Sequence, residues 1–267
     1  MTAELVSPRL AATLILLQSV AEQPLQTLMV VRHAGMAFAS GALVFPGGSV
    51  DRGDRVLAEQ VAEGGAVPFG VDEIALRIAA IRETFEESGI LLANDRDTRA
   101  PVANALAERL VERCRRPVEE GRADFAEMMR QENLTPAIDR LVPFARWITP
   151  PVRPKRFDTH FFIAEAPAGQ VLAHDGEEAV EAVWIAPKTA IDETESGRFK
   201  LVFATRMNLL RLGNASSPLD AIASARNTPV VTVVPEFIDT ADGKAIRIPA
   251  EAGYGGDLFP VIDPPAM

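Results

Sequence analysis

The strongest constraint on the fold is a helical hydrophobic period between residues 72 and 88, DEIALRIAAIRETFEES. Apolar residues recur there at spacings of four, three and four: Ile74, Ile78, Ile81 and Phe85. Such spacing places them on one face of a helix, which must pack against a larger core. Asp72 is the predicted N-cap, and Gly89 is the predicted residue that ends the helix.

The polar face of this helix carries three acids near its C-terminal end. Glu83, Glu86 and Glu87 stand at positions i, i+3 and i+4, so their side chains are neighbours on the helix surface. Like charges repel there, and acids are unfavourable at the negative end of the helix dipole. A divalent cation reverses this balance, because Mg²⁺ prefers hard oxygen ligands. The spacing therefore favours a metal-binding face over the alternative, a solvated acidic surface.

Strands and helices alternate along the rest of the chain. The predicted elements are strands at 13–17, 27–33, 141–148, 156–166 and 179–186, two short helices within 101–131, helices beginning at Pro187 and spanning 203–212, a helix capped by Ser217-Pro218, and a terminal hairpin that pairs VVTVV with KAIRI around Asp242-Gly243. This order predicts one α/β or α+β domain with helical insertions.

Composition excludes several classes of protein. The 267 residues include 37 acids and 27 bases, giving a formal charge of -10, which disfavours nucleic acid and anionic membranes as partners. The apolar run 10–17 is too short to span a bilayer. A single cysteine, Cys114, cannot form an internal disulfide and fits a reducing compartment. We therefore expect a cytoplasmic protein.

The segment RETFEESGI resembles the second half of the Nudix box. The matching positions are Arg82, Glu83, Glu86, Glu87, Gly89 and Ile90. Thr84 stands where the box has an aliphatic residue, Gly48 aligns with its opening glycine and Asp54 with its first glutamate. Between Asp54 and Arg82 lie residues 55–81, where the family pattern has about seven positions, so the box carries an insertion of about twenty residues.

Insertion within the box makes the chain similar to the Nudix-motif-19-type coenzyme A diphosphatases. Further matching segments are FPGGSVD, WITPPVRPKRFDTHFF, VEAVWIAP and FKLVFATRMNLLRL. The resemblance implies a Nudix-type α/β/α sandwich with a mixed sheet in one domain, 1–267. Its insertions would lie at about 55–73 and 97–135, forming walls or lids near the site, and a helical and hairpin extension would occupy about 188–267.

The resemblance also implies a reaction and a set of site residues. The reaction is Mg²⁺- or Mn²⁺-dependent hydrolysis of a diphosphate joined to another group, with coenzyme A or an acyl-CoA as the first substrate to consider. The expected metal ligands are Glu83, Glu86, Glu87, the Gly47 carbonyl and Asp54. The expected catalytic residues are Glu83, Glu86, Arg82 as the group that orients Glu86, and Glu178 from the loop HDGEEAVEAVW, where Glu177 and Glu181 compete with it.

The segment VRPKRFD concentrates three bases in an acidic protein. Arg153, Lys155 and Arg156 are the predicted substrate-binding residues, because cationic side chains bind phosphates. Arg156 is preferred since it is nearest to the following strand. The alternative is a solvated basic loop.

Other functions stay open on the sequence. Rival substrates are ADP-ribose, NADH and dinucleoside polyphosphates, while capped RNA is disfavoured by the net charge. A different class is a non-catalytic Nudix-fold module that binds or senses a nucleotide. The expected partner is a small nucleotide-like diphosphate, and the oligomeric state is left open, with a homodimer as one alternative.

Overall fold

A mixed β-sheet of eight strands lies at the centre of the structure, a computed structural model that describes residues 6–21, 23–31, 41–65, 67–173 and 181–261. The strands of these ranges are, in chain order, β1 (Arg9–Val20), β2 (Gln23–Val31), β3 (Leu43–Val44), β4 (Gly47–Ser49), β5 (Ala93–Asp95), β6 (Leu134–Pro136), β7 (Val142–Ile148), β8 (Phe157–Glu165), β9 (Glu181–Ile185), β10 (Thr232–Val233), β11 (Glu236–Thr240), β12 (Gly243–Arg247) and β13 (Leu258–Pro260). The central sheet has the order β10-β7-β8-β1-β2-β3, with β4 paired to β1 and β9 paired to β2.

Helices cover both faces of this sheet. They are α1 (Arg52–Glu63), α2 (Val71–Ser88), α3 (Asn104–Leu110), α4 (Arg116–Glu119), α5 (Phe125–Gln131), α6 (Pro187–Glu195), α7 (Phe203–Leu212) and α8 (Pro218–Asn227), with a π-helical turn at Val111–Arg115 between α3 and α4. The predicted strands at 13–17 and 27–33 fall in the antiparallel pair β1 and β2, with residues 32 and 33 of the second prediction lying outside the described ranges.

Strand β1 lies inside the sheet and is buried on both faces. It runs parallel to β8 along one edge and antiparallel to β2 and β4 along the other. Because side chains alternate along a strand, Leu14 and Leu16 enter the core beneath α2, while Ile15 and Leu17 enter the core on the opposite side. The α/β/α sandwich implied by the family resemblance is thus confirmed.

Helix α2 packs against the first face through the predicted apolar stripe. Ile74, Ile78, Ile81 and Phe85 are all 0 % exposed. Each such side chain contributes about 1.5–3 kcal/mol of burial energy, so the stripe fixes the orientation of the helix. Helix α1 and the segment 97–135 pack on the same core, and the rings of Phe85 and Phe125 lie 6.1 Å apart.

The predicted N-cap of α2 is wrong by two residues. Gly70 is the N-cap, because its carbonyl already accepts the Ile74 N–H at 3.0 Å. Asp72 lies in the first turn and accepts a hydrogen bond from Arg55 at 2.9 Å instead. The predicted end of the helix is confirmed, since Gly89 takes φ +78° and donates its N–H to the Phe85 carbonyl.

The C-terminal third covers the second face of the sheet. Its helices begin where predicted, at Pro187, Phe203 and Pro218, and the Ser217 hydroxyl caps α8 by accepting the Asp220 N–H at 3.2 Å. In the described ranges, no helix has both the length and the apolar character needed to cross a bilayer.

The predicted terminal hairpin is half wrong. Residues 244–247 of KAIRI lie in β12, but the antiparallel partner of this strand is β11, Glu236–Thr240, rather than VVTVV. Within VVTVV, Thr232 and Val233 form β10 and pair in parallel with β7. Pro235 follows this segment and interrupts the ladder because proline lacks an N–H donor. The chain then turns away from the central sheet to form a small sheet of β11, β12 and β13.

Candidate active site

Two glycines of β4 bring the backbone against the glutamate face of α2. A Cβ atom on Gly48 would lie 2.2 Å from Glu83 Oε1, and one on Gly47 would lie 2.5 Å from the Ala12 carbonyl oxygen. The Gly47 N–H donates to Glu87 Oε2 at 3.1 Å. The absence of side chains at both positions therefore allows β4 to pair with β1 and also to contact two of the three glutamates.

Arg82 lies at the centre of the site. Its guanidinium binds Asp54 in bidentate fashion, with Nε to Oδ1 and one terminal nitrogen to Oδ2, both at 3.0 Å. The same terminal nitrogen donates to the Ser49 carbonyl at 3.0 Å. Because Arg82 is 7 % exposed, these bonds fix α2 firmly to β4 and to the start of α1.

The other terminal nitrogen of Arg82 faces the acidic surface of its own helix. It donates to Glu83 Oε1 at 3.0 Å and to both oxygens of Glu86, at 3.0 and 3.2 Å. The side chains of Glu83 and Glu86 are only 15 % and 12 % exposed. The alternative of a solvated acidic face is therefore excluded for these two residues, and Arg82 has the orienting geometry expected of it.

Asp54 faces Arg82 from the first turn of α1. Its side chain is 1 % exposed, both carboxylate oxygens accept from Arg82, and Oδ2 also accepts the Asp51 N–H at 2.9 Å. Asp51 in turn accepts the Asp54 N–H at 2.7 Å, which completes a capping box. A role for Asp54 as metal ligand stays a prediction, and its contacts favour a role in orienting Arg82. The spacing Asp-x-x-Asp is consistent with this capping box, although Asp54 was identified from the sequence only through its alignment with the Nudix box.

Burial raises the pKa of the carboxyl groups in this cluster. It raises the pKa of Glu86 to about 7, although Arg82 acts in the opposite direction, and the neighbouring charge of Glu83 adds to the increase. Burial also raises the pKa of Glu83 and of Asp54 against the influence of the same arginine. Three carboxyl groups, those of Asp54, Glu83 and Glu86, bind the single guanidinium of Arg82, so the cluster has more acids than this arginine can balance.

The donor set fits a hard divalent cation. Glu83, Glu86 and Glu87 offer carboxylate oxygens, the ligands that Mg²⁺ and Mn²⁺ accept, and a cation would balance the excess negative charge. Nowhere in the described part of the chain are three or more acidic, histidine or cysteine side chains already gathered around one cation position. Glu83 and Glu86 face Arg82, and Glu87 faces Gly47, so binding requires these side chains to rotate.

Two further contacts lie at the C-terminal end of α2, the helix that carries Glu83, Glu86 and Glu87 and is called the glutamate helix below. Thr84, the departure from the box pattern, is fully buried and donates its hydroxyl to the Ala80 carbonyl at 2.7 Å, so the substitution leaves no unpaired polar atom there. Arg115, from the π-helical turn, donates Nε to the Glu86 carbonyl at 2.8 Å. Sequence reasoning did not identify Arg115, because no local pattern links it to α2.

A cavity of about 410 Å³ adjoins Arg82 and Glu86. One wall comes from α1 and the residues before it, and the facing wall comes from 118–126. Its lining residues are Asp51, Gly53, Asp54, Leu57, Ile78, Arg82, Glu86, Val118, Gly121, Arg122, Ala123, Asp124, Phe125 and Ala126. Both segments predicted as insertions therefore contribute walls next to the glutamates.

A second cavity, of about 310 Å³, adjoins β4 and contains Lys155. Its lining residues are Ala11, Thr13, Val44, Phe45, Gly47, Gly48, Ser49, Lys155, Phe157, Phe161, Val202 and Thr205. The Lys155 ammonium lies 5.5 Å from the centre of the Phe157 ring. Of the three bases of VRPKRFD, Lys155 therefore lines a cavity next to β4, the strand that contains Gly47 and Gly48 and is called the glycine strand below.

The two arginines of that segment have other contacts. Arg156 donates to the Thr149 carbonyl at 2.9 Å and to the Val6 carbonyl at 2.8 Å, so it ties the N-terminal segment to the loop before β8. The Arg153 guanidinium lies 5.7 Å from the centre of the Phe237 ring. Substrate binding by all three bases stays a prediction, and the geometry favours Lys155.

The predicted additional acid cannot be placed. Glu178 and its rival Glu177 lie outside the described residues, whereas Glu181 begins β9 and is exposed.

Comparison with known proteins gives consistent matches. The family model described as the NUDT19 Nudix domain matches residues 55–212, more than half of the chain. Acyl-coenzyme A diphosphatase NUDT19 of Gallus gallus is 28% identical over 277 aligned positions, covering 87% of this chain and 73% of the relative. The Xenopus laevis protein of the same name is 28% identical over 213 positions, and this match covers 64% of the present chain and only 55% of the relative.

A solved structure supports the same assignment. The crystal structure of a Nudix hydrolase from Alicyclobacillus acidocaldarius matches with a TM-score of 0.65 and 26% identity, covering 85% of this chain and 100% of the other. Together with the family match and the arrangement of Arg82 among the box glutamates, this similarity identifies the family. The chain belongs to the Nudix hydrolases, in the group described by the NUDT19 Nudix domain.

Proposed function

We propose that this protein is a Mg²⁺- or Mn²⁺-dependent diphosphatase that hydrolyses a nucleoside diphosphate linked to another group, with coenzyme A or an acyl-CoA as the first substrate class. The observation that carries the proposal is the cluster of Glu83 and Glu86 around Arg82, beside the glycine strand. These carboxylates are partly buried at the end of a helix, an arrangement that costs stability unless a cation binds there.

Each residue of the cluster has a distinct proposed task. Glu83, Glu86 and Glu87 hold the cation, while Arg82 keeps the first two oriented through its bonds to Asp54 and to the Ser49 carbonyl. When bound, a divalent cation neutralises the diphosphate oxygens and lowers the pKa of water. Glu83 or Glu86 accepts the proton of the attacking water, because each presents an oxygen at the same surface. Glu178 is a further candidate acid from sequence.

Both cavities offer room for the remainder of a nucleotide-like substrate. The cavity at Lys155 combines one exposed ammonium group with three aromatic rings, those of Phe45, Phe157 and Phe161. This combination suits a phosphate next to a planar or apolar group. The cavity at Arg82 is richer in acids, so it suits phosphate groups only beside the bound cation. Acyl-CoA compounds are tested first because two relatives bear the name acyl-coenzyme A diphosphatase.

A product assay tests the reaction and the substrate class together. Coenzyme A, an acyl-CoA, ADP-ribose, NADH and a dinucleoside polyphosphate are incubated with the protein and Mg²⁺ or Mn²⁺, and products are separated by chromatography. We expect the coenzyme A compounds to be cleaved at the diphosphate. Cleavage of ADP-ribose with inert coenzyme A would reject the substrate class but retain the reaction.

A matched pair of variants tests the site. Glu86→Gln removes a proposed cation ligand at nearly constant volume, and Glu59→Gln makes the same change at an exposed position of α1. We expect the kcat of Glu86→Gln to fall at least about 100-fold, within the range known for groups that stabilise charge in a transition state. We expect Glu59→Gln to retain the wild-type kcat. Tight nucleotide binding without turnover by the wild-type protein would support the regulatory module instead.

A further inference from the structure

The C-terminal turn of α2 carries negative charge that no basic residue of the same turn balances. Its last turn reads Phe-Glu-Glu-Ser, so acids stand where the carbonyl ends of the helix are already negative. The Glu86 carbonyl also lacks its next helical donor, because the Ile90 N–H bonds to Ser88 Oγ at 3.2 Å. A donor from elsewhere is needed to keep this turn in place.

Arg115 supplies that donor from the segment 97–135. Its Nε–H donates to the Glu86 carbonyl oxygen at 2.8 Å, and the residue is 4 % exposed. A terminal nitrogen lies 3.9 Å from Glu119, one turn further along α4, which helps to direct the guanidinium. The permanently charged guanidinium of Arg115 therefore contacts the backbone of Glu86, a proposed cation ligand.

The π-helical turn explains how Arg115 reaches α2. Helices α3 and α4 are continuous through Val111–Arg115, and the extra residue per turn in this stretch changes which side chains face the neighbouring helix. Val111 lies against the end of α2 as well, since a Cβ on Gly89 would be 3.3 Å from Val111 Cγ2. Two residues of the same turn thus contact the last turn of the glutamate helix.

We propose that Arg115 is a positioning residue for the cation site: it fixes the Glu86 backbone and balances the negative end of α2, so that Glu86 and Glu87 are held ready for the cation. This inference rests on the proposed function only in that the glutamates bind a divalent cation. It assigns the insertion a role in the reaction beyond forming a cavity wall.

Cation affinity and turnover in Arg115 variants test this role. Arg115→Gln loses the charge, Arg115→Lys keeps the charge without the fork, and Arg116→Gln changes the adjacent, exposed arginine as the control. Mn²⁺ affinity is measured by the electron paramagnetic resonance signal of unbound Mn²⁺, and kcat and KM are measured with the substrate found above.

For Arg115→Gln we expect Mn²⁺ affinity and kcat to fall about 10-fold or more, as for other residues that orient metal ligands, with KM changed less than kcat. Arg115→Lys is expected to fall between this variant and wild type, and Arg116→Gln to match wild type. The inference is overturned if the folded variants Arg115→Gln or Arg115→Lys keep wild-type Mn²⁺ affinity and kcat and differ only in a lower melting temperature. Arg115 would then have a structural role alone. Because Mn²⁺ binding needs no substrate, a wild-type protein that binds Mn²⁺ without turnover would contradict the proposed function and leave this test intact.

Discussion

Gly48→Ala is expected to displace Glu83 without unfolding the protein. The added methyl carbon would lie 2.2 Å from Glu83 Oε1, 2.4 Å from Cδ and 2.6 Å from Oε2. Since non-bonded carbon contacts have their optimum near about 3.5 Å, the carboxylate must move by roughly 1 Å. A displacement of about 1 Å in a catalytic group can cost 100-fold in rate, so we expect kcat/KM to fall by about that factor.

Stability should change little in this variant, because the obstacle is the end of a side chain that can rotate. Gly47→Ala provides the contrast: its methyl group would meet the Ala12 carbonyl and the Thr13 Cα atom, both backbone, so this variant should unfold at lower urea concentration. Gly70→Ala, at the N-cap of α2 with open space around it, is the matched control. Kinetics and urea unfolding are measured on all three variants. Wild-type kcat/KM in Gly48→Ala would refute the reasoning, because it would mean that the position of Glu83 at β4 is irrelevant to the reaction.

Two further changes test the ion pairs. Arg82→Lys keeps the charge but cannot make the six hydrogen bonds to Asp54, Ser49, Glu83 and Glu86 at once. We therefore expect a loss of about 3 kcal/mol in the free energy of unfolding, as for breaking buried pairs, and unchanged stability by urea titration would contradict it. Asp158 accepts two hydrogen bonds from Arg146, and this pairing lowers the pKa of the Asp158 carboxyl group. The pair therefore stabilises the folded protein above the unfolded pKa of about 3.9, and this stabilisation disappears as the pH falls through the lower folded pKa. Asp158→Asn should therefore lower the free energy of unfolding at about pH 7 and lower it much less at about pH 2. Asp239→Asn, at an exposed position, is the control and should leave the free energy of unfolding unchanged at both pH values. An equal loss of stability for Asp158→Asn at both pH values would argue against the pairing.

Local patterns in the sequence were sufficient for the apolar stripe, the polar face and the C-terminal end of α2, although they misplaced its N-cap by two residues. The period of its four apolar residues predicted a stripe that is fully buried, although positions outside the stripe such as Leu76 and Ala80 are buried as well. The helical spacing also predicted that Arg82 lies beside Glu86. The end at Gly89 was also predictable, since glycine adopts positive φ at low cost. These features depend on residues within one or two turns of each other, and sequence spacing therefore describes them well.

Contacts between distant segments were harder to predict. Arg82 binds Asp54 from 28 positions away, and Arg115 reaches the Glu86 carbonyl from 29 positions away through a π-helical turn. No period in the sequence relates such pairs, because their geometry depends on how α1 and the segment 97–135 pack on α2. The hairpin error has a similar origin: the β-branched run VVTVV indicated a strand but could not specify its partner, which Pro235 and the edge of the central sheet determine.

The charge balance at the end of α2 gives a physical reason for the segment 97–135 to be part of the core. Glu83, Glu86 and Glu87 weaken the helix where they stand, and burial raises the pKa of Glu86 to about 7 although Arg82 acts in the opposite direction. The segment adds Arg115 at the Glu86 carbonyl and packs Phe125 against Phe85, the last apolar anchor of the helix. Since these contacts fall on successive residues of α2, the same inserted segment both buries the end of the helix and offsets its negative charge. Cation binding and insertion packing should therefore stabilise each other, because each reduces the repulsion that opposes the other.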